Sequence, residues 1–100
     1  MKLGCNWLTV DGELVAIDVL RFTPAGLAKI ALKIRHVSTQ QEAGLARQVQ
    51  CEIAALAFGV VAQQISLLQL GQRVRAEGFL AQRSLKIAQL VLHIDKIILE

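Results

Sequence analysis

The chain contains no tyrosine, one tryptophan and three phenylalanines, so its 100 residues are 54% hydrophobic but only 4% aromatic. A chain of this size has room for one packed unit and not two, so a single domain over residues 1–100 is expected. Proline occurs once and the seven glycines are scattered, which excludes a disordered linker or a low-complexity tail. The two cysteines, Cys5 and Cys51, are far apart and have no second pair. That fits neither a disulfide framework nor a zinc site, and both read as free thiols. The longest apolar stretch, Ile53 to Ala62, is interrupted by Gly59 and closed by Gln63 and Gln64. It falls well short of the roughly 20 residues a spanning helix needs. The start, Met1-Lys2-Leu3-Gly4-Cys5, runs into Asn6 and then Asp11 and Glu13. No apolar signal-peptide core follows it, so a cytoplasmic location is expected.

Charge is present but unevenly placed. Net charge is +3, yet Arg21, Lys29, Lys33, Arg35 and Arg47 face only Glu42 across one segment, and Arg73, Arg75, Arg83 and Lys86 face only Glu77 in another. If folding joins the two segments, the local field suits a polyanion. Charge alone favours the plainer reading of a solvated basic surface, since a pI near 9.2 is unspecific.

Periodicity supplies the elements. Leu27 to His36 alternates, with Ala28, Ile30, Leu32, Ile34 and His36 on one side and Lys29, Ala31, Lys33 and Arg35 on the other. This predicts a half-buried strand that presents cations. Thr23-Pro24-Ala25-Gly26 before it is a turn signal. Leu8 to Phe22 reads as a long strand, apolar on both faces around Leu14 to Ile17, with Gly12 available for a bulge or sharp bend. Ser38 to Gln48 is polar, has no usable period and carries Gly44 near its middle, which predicts a long loop. Val49 to Ala57 resumes as a strand with Cys51 facing inward, and Val61, Ile65 and Leu68 then predict one short helix ending near Gly71. Gln72 to Ala81 alternates again. Lys86 to Leu99 closes the chain as a strand with Leu90, Leu92 and Ile94 inward and a slip of phase near Lys96.

Three strands, a helix and two strands in about a hundred residues predict an all-β chain with one short helix, the five-stranded Greek-key barrel of the OB-fold. In that fold the second and third strands, the loop joining the first two strands and the loop joining the last two form a nucleic-acid face. Those are Leu27 to Ser38, Val49 to Ala57, the turn at Thr23 to Gly26, and Ala81 to Lys86, where nearly all the clustered positive charge falls.

Thr23-Pro24-Ala25-Gly26-Leu27, His36 and Ser38, Gln41-Glu42-Ala43-Gly44, Val49-Gln50-Cys51-Glu52-Ile53, Gly78-Phe79 and Leu90-Val91-Leu92-His93 follow one another at spacings that resemble primosomal replication protein N, the PriB family. The resemblance runs from about Asn6 to the C-terminus. It implies a bacterial, homodimeric OB-fold protein that binds single-stranded DNA and works with the PriA helicase and DnaT in the replication restart primosome. It further implies DNA contacts at Arg21, Val37, Leu45, Gln50, Arg83 and Lys86. The chain departs from the family pattern in having no aromatics at Leu45 and Gln50, no basic residue at Val37, and a last connection about two residues shorter. Lys33 and Arg35 return charge to the same strand, Lys29 precedes them, and Arg47 follows the long loop.

No catalytic constellation competes with this reading. Neither His36 nor His93 has a carboxylate or cysteine cluster at ligand spacing, so both read as structural and no metal is expected. Ser84, His93 and Asp95 have no nucleophile-elbow glycines around them, and no glycine loop is built to cradle phosphates. The expectation is a non-enzymatic, cofactor-free adaptor for a helicase. Trp7 is expected to pack in the core or a dimer contact, Phe22 to pack or stack a base, and Phe79 to cover an outer face at a dimer interface. Two rivals stand beside it: an OB-fold module that chiefly binds proteins and retains only residual nucleic-acid binding, and a single-stranded RNA binder of the cold-shock type.

Overall fold

A computed structural model describes residues 3–100. Met1 and Lys2, where the reading of the N-terminus begins, lie outside the described residues. The elements are β1 (Leu8–Ile17), β2 (Arg21–Phe22), β3 (Ala28–Glu42), β4 (Leu45–Phe58), α1 (Val60–Ser66), β5 (Arg73–Gln82) and β6 (Leu90–Leu99). β1 pairs with both β3 and β5, β5 with β6, and β4 with β3, all antiparallel. A parallel contact between β4 and β6, through Ala55–Leu92 and Leu56–His93, closes the ring. The result is the five-stranded barrel of the OB-fold, with the two-residue β2 added on β3.

The core is aliphatic, as the shortage of aromatics requires. Leu14, Ile30, Ile34, Ile65, Val74 and Leu92 are fully buried, and no aromatic joins them. Each such side chain contributes about 1.5–3 kcal/mol of burial. α1 lays Ala62 and Ile65 over one end of the barrel. The alternation along β3 is as read: Ala28, Ile30, Leu32 and Ile34 are buried, and Lys29, Lys33 and Arg35 are exposed.

Several expectations need correction. Ser38 to Gln48 is not a loop. β3 and β4 stay in unbroken register out to Glu42–Leu45, joined by a two-residue turn at Ala43-Gly44 whose φ values are 53° and 79°. Positive φ at both positions is the primed turn whose twist matches paired strands. Gly44 is therefore the centre of a hairpin arm. Cys51 is exposed rather than inward, because β4 meets β6 only from Ala55 onward and Cys51 lies on the arm, opposite His36.

The long first strand breaks at residues 18–20, and its bulge is at Val15, between the pairs Leu14–Ile34 and Ala16–Lys33. Gly12 is instead a point of close approach, where β1 is pressed between β3 and β5 and a methyl group would overlap the Arg35 carbonyl. Val19, beyond the end of β1, is 69% exposed. The helix ends at Ser66, capped by Leu67, before Gly71, whose N–H donates to the Leu14 carbonyl at 2.8 Å. β6 begins at Leu90 rather than Lys86, and Leu90 is exposed. The slip of phase near Lys96 is real: Glu77 pairs with Lys96 and Gly78 with Ile94, leaving Asp95 as the extra residue.

Candidate nucleic-acid interface

An open groove of about 400 Å³ crosses the outer face of β3, β4 and β6. Its floor is small and aliphatic, formed by Ala31 of β3, Ala54 and Leu56 of β4, and Val91 of β6. Strand geometry explains the floor: these residues have the opposite parity to the core residues beside them, and Lys33 stands opposite Ala54 and Ala31 opposite Leu56. Around the floor stand Lys29 and Lys33 on β3, Arg21 on β2, and Arg83 in the loop between β5 and β6. Asp18 is the one carboxylate in the lining.

The rim loops are held by local hydrogen bonds. At the first turn the Thr23 N–H donates to the Leu27 carbonyl, the Gly26 N–H to the Thr23 carbonyl, and the Leu27 N–H to Thr23 Oγ1. In the last loop, residues 83–89, the Arg83 N–H donates to the Gln89 carbonyl at 2.9 Å. There Ser84 Oγ accepts from the N–H groups of Lys86 and Ile87. Lys86 therefore belongs to this loop with Arg83. Lys29 also reaches back over its own strand pair, with Nζ 5.9 Å from the Phe58 ring centre.

Of the nine residues singled out from the sequence, four, Arg21, Lys29, Lys33 and Arg83, line the groove together. Arg35 shares the outward face of Lys33 but sits where acids gather, 3.8 Å from Glu13 and opposite Glu52. Leu45, Arg47 and Gln50 lie on the hairpin arm, away from the floor. Unbroken register puts Gln50 on the face of Ala54 and Leu56, and Leu45 and Arg47 on the opposite face. Arg47 is paired with Glu42 at 2.9 Å near the tip. Val37, opposite Gln50, is exposed.

Arg73 and Arg75, which weigh in the second basic segment, lie on β5 and share Glu100 at 3.9 and 3.5 Å. They are not part of the groove lining. Asp18 and the aliphatic floor were missed from the sequence. The outward parity of Ala54 and Leu56 was the available signal for the floor, and Asp18 had none beyond being the sole acid between Glu13 and Glu42.

Both histidines have structural settings. His36 Nδ1 lies 2.8 Å from the Asp11 carbonyl, which can only accept, so Nδ1 carries a proton. Nε2 faces Ser38 Oγ at 2.8 Å, and Ser38 in turn accepts from Gln40. His93 is stacked between Phe58 and Phe79 across the outer face, with ring centres 6.0 and 5.0 Å apart. Phe79 thus covers an outer face, as read from its parity. Trp7 and Phe22 are 59% and 62% exposed, so neither is in the core.

Residues 6–96 match the model of a family described as another single-strand binding protein family. Replication restart protein PriB of Nitrosomonas europaea is 36% identical over 93 residues, covering 93% of this chain and 86% of that protein. The chain belongs to the PriB family. PriB of Photorhabdus laumondii is 32% identical, over 92% of this chain and 90% of its own. The solved structure of PriB from Ralstonia solanacearum superimposes with a TM-score of 0.88 at 33% identity, covering 97% of this chain and 99% of that one. The single-stranded DNA binding protein of Thermus aquaticus superimposes at 0.78 and 27% identity over 97% of this chain and 50% of its own. The PriB family and the single-strand binders therefore share this barrel, and the groove lies on its second- and third-strand face. A replication restart protein that binds single-stranded DNA is what this kinship supports.

Proposed function

We propose that the protein binds single-stranded DNA along the groove, with Arg21, Lys29, Lys33 and Arg83 meeting phosphates, Arg35 and Lys86 extending the charged track, and Leu45, Arg47 and Gln50 offering contacts from the arm. The observation that carries the reading is the convergence of four cations, drawn from three separate elements, on one apolar-floored groove. Such a groove tracks a backbone electrostatically, while the floor accepts bases. The role is non-catalytic and cytoplasmic: a homodimeric adaptor that delivers single strands to a restart helicase, PriA, in company with DnaT. The exposed Trp7 and the Phe79–His93 stack support the dimer, since large exposed apolar patches mark interaction sites.

The test is fluorescence anisotropy of labelled oligo-dT titrated with the protein at several salt concentrations, against duplex and RNA competitors. A preference for single-stranded DNA that weakens with salt supports the reading. A preference for single-stranded RNA favours a cold-shock-like function instead. Absence of binding at low salt leaves a protein-docking module, which the aliphatic Leu45 and the polar Gln50 at the family's stacking positions would fit. A pull-down with the helicase then decides the adaptor role.

A further inference from the structure

Every charged side chain lining the groove is a cation except Asp18. The Asp18 N–H donates to the Ala31 carbonyl at 2.9 Å, continuing the pairing of Ile17 with Leu32. Asp18 is thereby fixed beside the middle of the groove strand, with Lys29 and Lys33 as its diagonal neighbours. Its Oδ1 accepts from the Val19 N–H at 2.7 Å. Among the described residues no cation lies within ion-pair distance of this carboxylate, and Oδ2 has no protein donor.

A carboxylate can only accept, so it repels phosphate and is satisfied by N–H groups. On a nucleic acid strand those N–H groups are on the bases. Cytosine presents its N4 amino group where thymine presents the O4 carbonyl, and thymine's own N–H, at N3, lies between two carbonyl oxygens that repel a carboxylate. The floor of Ala31, Ala54, Leu56 and Val91 has no aromatic ring to stack a base, so an edge contact is the groove's means of telling bases apart.

We propose that Asp18 reads a base: Oδ2 accepts a hydrogen bond from the exocyclic amino group of cytosine while Arg21, Lys29, Lys33 and Arg83 hold the flanking phosphates, so that the groove prefers cytosine to thymine. The inference rests on the single-strand reading above and adds sequence preference to it.

The experiment is fluorescence anisotropy with labelled oligo-dC and oligo-dT of equal length at pH 8 and fixed low salt. The natural chain, Asp18→Ala and Asp18→Asn are compared. The natural chain is expected to bind oligo-dC about three- to tenfold more tightly than oligo-dT, in line with one good base-edge contact. Asp18→Ala brings the ratio to about one. Asp18→Asn keeps the acceptor for the Val19 N–H and puts an amide donor where Oδ2 was, so its preference turns toward thymine. A ratio near one in the natural chain, or a cytosine preference that survives both variants, overturns the proposal and leaves single-strand binding standing. If neither homopolymer binds, the single-strand reading falls, and this proposal with it.

Discussion

At the scale of single residues, position in the lining separates cations that their sequence spacing made equivalent. Lys33 and Arg35 share a strand face, yet Lys33 opens onto the groove, while Arg35 stands 3.8 Å from Glu13 and opposite Glu52. Lys33→Ala is expected to weaken oligo-dT binding about three- to tenfold, the loss of one phosphate contact. Arg35→Ala should cost less than about threefold, its charge being partly answered already. Equal losses in parallel anisotropy titrations would show that the track runs further along β3 than the groove does. Gly12 makes a different point, because its value is what it leaves out. A methyl group there meets the Arg35 carbonyl at the place where β1 is pressed between two strands. Gly12→Ala is expected to destabilise the fold by about 1–3 kcal/mol, as overpacking does. Thermal unfolding should register that as a fall in Tm of roughly 4–8 °C per kcal/mol.

At the scale of elements, the hairpin arm is where sequence and structure part. Both of its faces are open to solvent, so Thr39, Gln40, Gln41, Gln48 and Gln50 show no alternation to read. Inside the barrel the same strands bury one face, and there the pattern is legible residue by residue from Ala28 to Ile34. The element order, the barrel, the cationic strand and the slip near Lys96 all followed from burial on one side. The break at residues 18–20 did not, because apolar residues there sit on both faces and Val19 is simply exposed at the groove. Four of the nine site residues gather in the groove because outward parity on β3 and the two rim loops were readable. The arm residues were read without knowing which face each takes. That difference is testable. Gln50→Trp places a ring on the face shared with Ala54 and Leu56, whereas Leu45→Trp places one on the opposite face. Base stacking is worth about 1–3 kcal/mol per base, so Gln50→Trp should tighten oligo-dT binding about fivefold or more. Leu45→Trp should change it little if the strand follows the groove face alone. A comparable gain from both would mean that the strand wraps around the arm.

At the scale of the whole molecule, folding sorts the basic residues that the sequence lumps together. Arg73 and Arg75 point away with β5 and share the carboxylate of Glu100, while Arg83, only a few residues on, turns into the groove. A net charge of +3 therefore understates the field on one side and overstates it on the other. Salt dependence measures the sorted charge, because each phosphate neutralised on a single strand contributes about −0.7 to the slope of log K against log salt. Four groove cations predict a slope of roughly −3 per chain, with Arg35 and Lys86 able to deepen it. Removing Arg21, Lys29 or Arg83 should each make that slope shallower by about 0.7. Replacing Arg73 and Arg75 together should leave it unchanged, since screened surface pairs on another face of the barrel contact no phosphate. If the Arg73 and Arg75 replacement flattened the slope as much as the loss of Arg83, the strand would have to cross β5, and the groove would be only part of its path.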